Sequence, residues 1–380
     1  MLVDKSEIKK KKLLILGNGF DLHCNLKSKF SDFMFEEVFI KGDTRYLALE
    51  KHFLKKNIWY YLLAFRFYYK ASSPIFLYVG GNDIKWMDVE DFIKCVLVKD
   101  KNNRLLPWLK ETFEGLKSFN FYTDHISDFY GDDYFKAAVV DCIDNIKDNY
   151  SDIFQLLFGE LNQFEKDFSD YLKRQLDKCD YLAFAHKTLD AFKENKLYDK
   201  LYIWSFNYTD PSHDYDNCRF QRIHGGLYND VSDAIIGIDQ NDINDIDENL
   251  NIIRFTKAWR KISTIGFVEE LPNKEEVDEI CIYGHSLGKQ DYSYFHSIFN
   301  YYGFASDSKI VVRFYYSDYA LNPDGTPNTV ENDKNYNSFI DSVFKLLIDY
   351  ASNSINEKES KTLITRLLLE RRVLIEKLND

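Results

Sequence analysis

The sequence predicts an α/β fold: a Rossmann-like, mostly parallel sheet with a large helical insertion after its first βα unit and helices at the C-terminus. Three observations predict it. Short apolar runs open the chain at "KLLILGNG" (12–19) and resume at "KLYIWSFNY" (200–208), "FQRIHGG" (220–226), "AIIGID" (234–239), "EICIYGHSL" (279–287) and "KIVVRFYYSD" (309–318). Most of these runs are continuous rather than alternating, as in strands covered on both faces. Between the first two, apolar residues recur every three or four positions, the period of amphipathic helices.

The elements follow in order. The first strand runs into Gly17-Asn18-Gly19-Phe20-Asp21, a glycine turn that would let the backbone approach a phosphate, with the next helix supplying N–H groups. Its spacing is G-x-G-x-x-L, with Leu22 where the dinucleotide fingerprint has a third glycine. No second strand with an acidic end follows about twenty residues on. An ordinary nicotinamide dehydrogenase is therefore not expected, and a plain tight turn is the alternative reading.

This first βα unit takes residues 1–39, the helical insertion 40–198, the rest of the sheet 199–330 and the C-terminal helices 331–380. In "TLITRLLLERRVLIEKLND", Ile364, Leu367, Leu368, Leu374, Ile375 and Leu378 would share one helical stripe. The stripe packs on its own domain or, alternatively, forms the seam of a homo-oligomer.

Composition narrows the class. Of the 380 residues, 45% are hydrophobic and 17% aromatic, ample material for a core and unlike a disordered chain. A net charge of −12 argues against a broad nucleic-acid surface, although a local basic groove stays open. The six cysteines are scattered without a C-x-x-C pair, so neither a disulfide framework nor a zinc site is expected. The opening "MLVDKSEIKKKK" is charged rather than signal-like. The longest apolar run, "IWYYLLAFRFYY" (58–69), is too short and interrupted to span a bilayer. The expectation is a soluble cytoplasmic protein with no membrane partner.

In an open α/β sheet, ligands bind beyond the carboxyl ends of the strands. There the expected strands carry Gly17 to Asp21, Asn207, His224, Asp239, and Gly284-His285-Ser286 with Asp291 just beyond. A shared crevice is the economical explanation.

"YGHSLG" also reads as a nucleophile elbow, with Ser286 as the nucleophile of a hydrolase. That reading needs a downstream histidine, and the one available, His296, falls ten residues on, in the following helix. A strand-to-helix turn lining a ligand site is preferred. "DIDENLNIIRFT" from Asp245 lacks the glycine and glutamate of a calcium loop. His213, Asp214, Asp216 and Cys218 read as a solvated loop rather than metal ligands. Asp88 and Glu90 diverge on a helix, so solvated or capping roles are preferred, with a site role for them and Trp86 left open.

Taken in order, "LLILGNGFDLH", "WMDVE" (86–90), "WSFNYTD" (204–210), "RIHGGL" (222–227) with "IIGID", and "IYGHSLGKQDYSYF" (282–295) resemble the AbiH family of bacterial abortive-infection proteins. The resemblance implies a role in phage defence and an unknown phage-derived trigger. AbiH-like chains in turn resemble the sirtuin-like NAD-cleaving domains of phage defence. That resemblance implies NAD as substrate or ligand, with Asn207 and His224 catalytic. It puts Gly17 and Gly19 at the phosphates, and Gly284, His285 and Ser286 near the adenosine ribose; Asn18, Phe20, Asp21, Asp239 and Asp291 join the same binding site by their place beyond the expected strands. The first turn departs from the sirtuin G-A-G-x-S, and the paired zinc cysteines are absent, so protein deacylation is not expected.

A non-catalytic nucleotide sensor is the alternative function. In the enzymatic reading, a histidine titrating near neutrality takes a proton and an uncharged amide holds a ribose hydroxyl or the water. His23 is the rival base.

Overall fold

The computed structural model describes residues 10–38, 57–68, 89–98, 105–118, 132–193, 198–227, 234–243, 250–263, 270–306, 308–354 and 357–378. Six strands form one sheet: β1 (Lys10–Leu16), β2 (Tyr198–Ser205), β3 (Cys218–Arg222), β4 (Val277–Tyr283), β5 (Val311–Tyr316) and β6 (Val373–Lys377). The helices before β2 are α1 (Asn18–His23), α2 (Phe30–Phe33), α3 (Ile58–Tyr68), α4 (Val89–Leu97), α5 (Leu105–Lys117), α6 (Asp132–Ile146), α7 (Ile153–Leu176) and α8 (Tyr181–Lys193). After β3 come α9 (Leu250–Ile253), α10 (Lys257–Ser263), α11 (Tyr292–Tyr301), α12 (Thr329–Ser354) and α13 (Glu357–Leu369).

The strand order is β3-β2-β1-β4-β5-β6, and every neighbouring pair is parallel. This is the expected α/β class, with the order found in dinucleotide-binding sheets. The direction of winding reverses between β1 and β4, so a crevice opens beyond their carboxyl ends.

The chain packs as two compact units. One holds the sheet and comprises Met1–Leu26, Gln175–Tyr228 and Gly266–Asp380; the other comprises Lys27–Arg174 and Asn229–Ile265. Of the segment 40–198, α8 therefore belongs with the sheet. The 234–243 stretch, which the sequence assigns to the sheet region, belongs with the helical unit.

A parallel sheet must be covered on both faces, and β1 shows how. Leu13 and Ile15 point into one core with Ile280 and Ile282 of β4, Phe295 and Phe299 of α11, Leu346 of α12 and Leu367 of α13. Leu14 and Leu16 point into the other, with Phe20, Tyr283 and the α8 residues Tyr181, Ala185 and Leu189. On the α8 face an alternating row of charges, not foreseen from the sequence, crosses four strands. Lys12 meets Glu279 at 3.4 Å, Glu279 meets Arg313 at 2.5 Å, and Arg313 pairs with Glu376.

Two sequence expectations need correction. "AIIGID" is not a strand of the sheet; among the described residues its one ladder-like contact is the bridge Ile238 to Thr256. Its amides are committed elsewhere, as buried backbone donors must be. Ile236 N–H donates to Glu165 Oε1 at 2.7 Å, Gly237 N–H to Glu90 at 3.4 Å, and Ile238 N–H to Phe255 O at 3.0 Å. Asp239 therefore ends no strand; its carboxylate caps the following turn through Asn241 N–H at 2.9 Å.

The C-terminal stripe is also not one helix. Helix α13 ends at Leu369, Arg371 turns with φ 55°, and Leu374 and Ile375 lie in β6. Buried Arg372 pins that turn by donating to the carbonyls of Phe304, Ser306 and Ile310. Leu363 and Leu367 pack into the α11 core of their own unit.

The helical unit has an aromatic core in which Phe33, Tyr60, Phe164 and Phe168 meet edge to face or tilted. There Glu90 accepts from buried Lys257 at 2.7 Å, and Glu165 forms a two-pronged pair with Arg260 at 2.6 Å. Glu90 is thus neither solvated nor a helix cap, but one of the carboxylates gripping residues 236–237. Trp86, Asp88 and Asp245 lie outside the described residues. No described helix is long and apolar enough to cross a membrane.

Candidate functional site

At the switch point the two glycine turns interlock. Gly17 N–H donates to Tyr283 O at 3.0 Å and Gly19 N–H to Gly284 O at 2.6 Å. A Cβ on Gly17 would lie 2.4 Å from His285 Cα, and one on Gly19 would lie 2.8 Å from Gly284 Cα. Gly284 itself has φ +69°, and a Cβ there would lie 2.3 Å from Phe20 N. Both turns need glycine to pass this close, apart from any ligand.

Two of the amides expected to face a phosphate thus face β4 instead. The helix they introduce, α1, has six residues, so its dipole adds little. Asn18, half-buried between the two glycines, makes no side-chain hydrogen bond to a described residue.

On the α8 side of this junction lies Asp21, 2% exposed. Tyr181 Oη donates to Asp21 Oδ1 at 2.7 Å, and Thr209 Oγ1 lies 2.9 Å from each carboxylate oxygen. Tyr181 Oη also lies 3.0 Å from Thr209 Oγ1. Burial pushes the Asp21 carboxyl up to about 7, against the lowering effect of hydrogen bonds from Tyr181, Thr209 and Asn207.

Asn207 links Asp21 to the glycine turn. Its Nδ2 donates to Gly17 O at 3.0 Å and it also hydrogen-bonds Asp21. The carbonyl partner requires nitrogen at that position, which makes Oδ1 the acceptor of the amide. Thr209 sits two residues beyond Asn207 in "FNYTD", a proximity legible in sequence. Tyr181 arrives from the start of α8 with no sequence signal.

On the α11 side a second carboxylate lies between two buried histidines. Asp291 Oδ1 is 3.3 Å from His224 Nε2, and Asp291 Oδ2 is 3.3 Å from His285 Nε2. Leu287 N–H donates to His285 Nδ1 at 2.9 Å, so neutral His285 carries its proton on Nε2, facing Asp291. Phe206 packs edge-on against both imidazoles, at 5.1 Å from His224 and 4.5 Å from His285.

Asn207 and His224 lie just beyond the ends of adjacent strands, and the ladder continues past β3 through Ile223 N–H to Ser205 O at 2.7 Å. Their side chains serve different networks, Asn207 with Asp21 and His224 with Asp291.

The remaining candidates separate. His23 Nδ1 meets Tyr283 Oη at 3.0 Å, and that hydroxyl meets Ser317 Oγ at 3.1 Å. Ser286 is exposed and hydrogen-bonds none of the described histidines. In a nucleophile elbow the serine occupies the strained turn position. Here the positive φ values belong to Gly284 (69°) and Leu287 (54°) instead. His296 faces Asp349 at 3.4 Å. His213 and Asp214 form an exposed 3.6 Å pair, and Cys218 begins β3. Among the described residues no group of three or more His, Cys, Asp or Glu is arranged to hold a metal.

Searches of curated proteins and of solved structures found no match. The family model described as bacteriophage abortive infection AbiH matches residues 13–314, a span that takes in both glycine turns, Asp21, Asn207, His224 and Asp291. The chain belongs to the AbiH family of bacteriophage abortive infection.

Proposed function

We propose that the AbiH crevice binds a nucleotide and cleaves the N-glycosidic bond of NAD⁺ or a close relative when a phage-derived trigger is sensed, acting as a sirtuin-like hydrolase. The observation carrying this reading is the strand order. It is that of dinucleotide-binding sheets, and its switch point is framed by Gly17–Asp21, Asn207, His224 and Gly284–Ser286.

Nicotinamide leaves as a neutral group. As the bond between ribose C1′ and the pyridinium nitrogen breaks, its electron pair goes to nicotinamide. A water oxygen bonds to C1′, and the water proton passes to a base. The sugar centre resembles an oxocarbenium ion, so little covalent help is needed beyond orientation and proton removal. Asn207 Oδ1 accepts a ribose hydroxyl without adding charge. His224, oriented by Asp291 and Phe206, takes the proton. Asn18 and Ser286 offer polar contacts to the ligand from the two turns.

The test is free nicotinamide released by purified protein from NAD⁺, with and without phage-infected lysate. Loss of His224 should cost roughly a hundred- to ten-thousand-fold in rate. His224→Ala without effect, beside a dead His23→Ala, would leave the reaction and replace the base. Nucleotide binding with no release under triggered conditions would favour the sensor.

A further inference from the structure

Three oxygen-bearing groups, Asp21, Thr209 and Tyr181, form a closed triangle: Tyr181 to Asp21 at 2.7 Å, Thr209 to Asp21 at 2.9 Å, Tyr181 to Thr209 at 3.0 Å. Each edge needs one proton. Tyrosine and threonine each supply one, and a carboxylate supplies none. With Asp21 ionised, one edge sets lone pair against lone pair. With Asp21 protonated, the ring closes as carboxyl to Thr209, Thr209 to Tyr181 and Tyr181 to carboxyl. Proton counting and burial thus point the same way.

Among the described residues, the surroundings offer no compensating cation. Around Asp21 stand Tyr181 at the start of α8 with Cys179 just before it, and Asn207 and Thr209 beyond β2, while Cys24, just past α1, faces Tyr181. His23 engages Tyr283, and Asp210 is held by Arg222 at 2.9 Å. Among the described residues, no lysine or arginine contributes to the Asp21 environment.

We propose that Asp21 is the carboxylic acid whenever an anionic ligand occupies the switch-point crevice, so that above neutrality the ligand binds with uptake of a proton onto it. The inference deepens the nucleotide reading and rests on it. An acid one turn beyond Gly17–Gly19 is compatible with a pyrophosphate only when uncharged, because two like charges in a desolvated site repel. By linkage, the anion raises the proton affinity of Asp21, and the proton raises the affinity for the anion. Below neutrality Asp21 is already protonated and affinity is flat. Above it, each ligand must bring a proton. With Asp21 titrating at about 7, affinity falls about fivefold from pH 7 to 8 and about tenfold from 8 to 9.

ADP-ribose is the probe, since its pyrophosphate diester does not titrate in this range. Calorimetry at pH 8 in buffers of different ionisation enthalpy should show close to one proton taken up per ADP-ribose, and none in Asp21→Asn. Adenosine, lacking phosphate, should show none in either protein. Binding of ADP-ribose without proton uptake overturns this inference and leaves the nucleotide reading standing. No binding of ADP-ribose at all overturns both. Should Asp21→Asn fail to fold, the carboxyl ¹³C shift of Asp21 in the unaltered protein decides, since an ionised carboxylate at pH 6 refutes the proposal.

Discussion

Replacing Asp21 by asparagine should stabilise this protein, and by an amount that depends on pH. A carboxyl titrating at 3.8 when unfolded and about 7 when folded binds more protons in the folded state across that interval. Stability then falls as pH rises, by about 1.4 kcal/mol per unit. Below about pH 4 both states are protonated and Asp21 costs nothing. Above about pH 7 both are ionised and the cost is constant at about 4 kcal/mol. This is the reverse of a salt-bridged aspartate, whose contribution is lost on acidification.

Asparagine keeps an acceptor for Tyr181 and a donor for Thr209, so it retains the ring without the charge. Denaturant unfolding of both proteins from pH 5 to 8 should show the advantage of Asp21→Asn growing by about 3 kcal/mol over that span. Measured at each pH against the same variant, the difference cancels the titration of every other group. A difference that stays flat with pH would refute the reasoning, as would an asparagine variant less stable than the parent at pH 8.

Other outcomes follow from the same geometry. Gly19→Ala and Gly284→Ala should each lower stability by about 2–3 kcal/mol without any ligand, read as a shift in denaturant midpoint, because the added methyl meets backbone across the interlock. Glu279→Gln should cost about 3–5 kcal/mol in the same assay, since Lys12 and Arg313 remain against a site that has lost its negative charge. Ser286→Ala should raise KM for NAD⁺ and spare kcat, and a serine-reactive fluorophosphonate should leave Ser286 unlabelled; covalent labelling would restore the hydrolase. Thr209→Val, which removes one corner of the Asp21 ring at nearly constant volume, should cost about 1–3 kcal/mol.

What sequence made legible here is periodicity and punctuation. Leu13 to Leu16 read as a two-face strand, and Gly17, Asn207, His224 and Gly284 read as strand-end residues, because both properties are local. "AIIGID" read as a strand for the same reason, yet its amides are claimed by Glu90 and Glu165, from helices far away in sequence. "RRVLIEKL" could continue a helix or start a strand; the choice is made by Arg372, whose partners lie over sixty residues upstream. The two carboxylate networks were hidden likewise. Asp21 and Asp291 were visible as polar residues beyond strands, but Tyr181 and His285 decide how they behave, and no spacing rule connects them.

The interlock also changes what the glycine turn is for. Had Gly17 and Gly19 been kept for a phosphate alone, their amides would point outward and a Cβ would meet open space. Instead they donate to Tyr283 and Gly284 carbonyls, and the missing side chains make room for the β4 turn. The junction is therefore a tightly packed pedestal, and in the proposed function the chemistry falls to what flanks it. One flank carries a buried acid held near its neutral form, joined to the turn by Asn207. The other carries a carboxylate set between two histidines. On the proposed reading the two flanks divide the work: the Asp21 side accommodates an anion, and the Asp291 side, through His224, removes a proton.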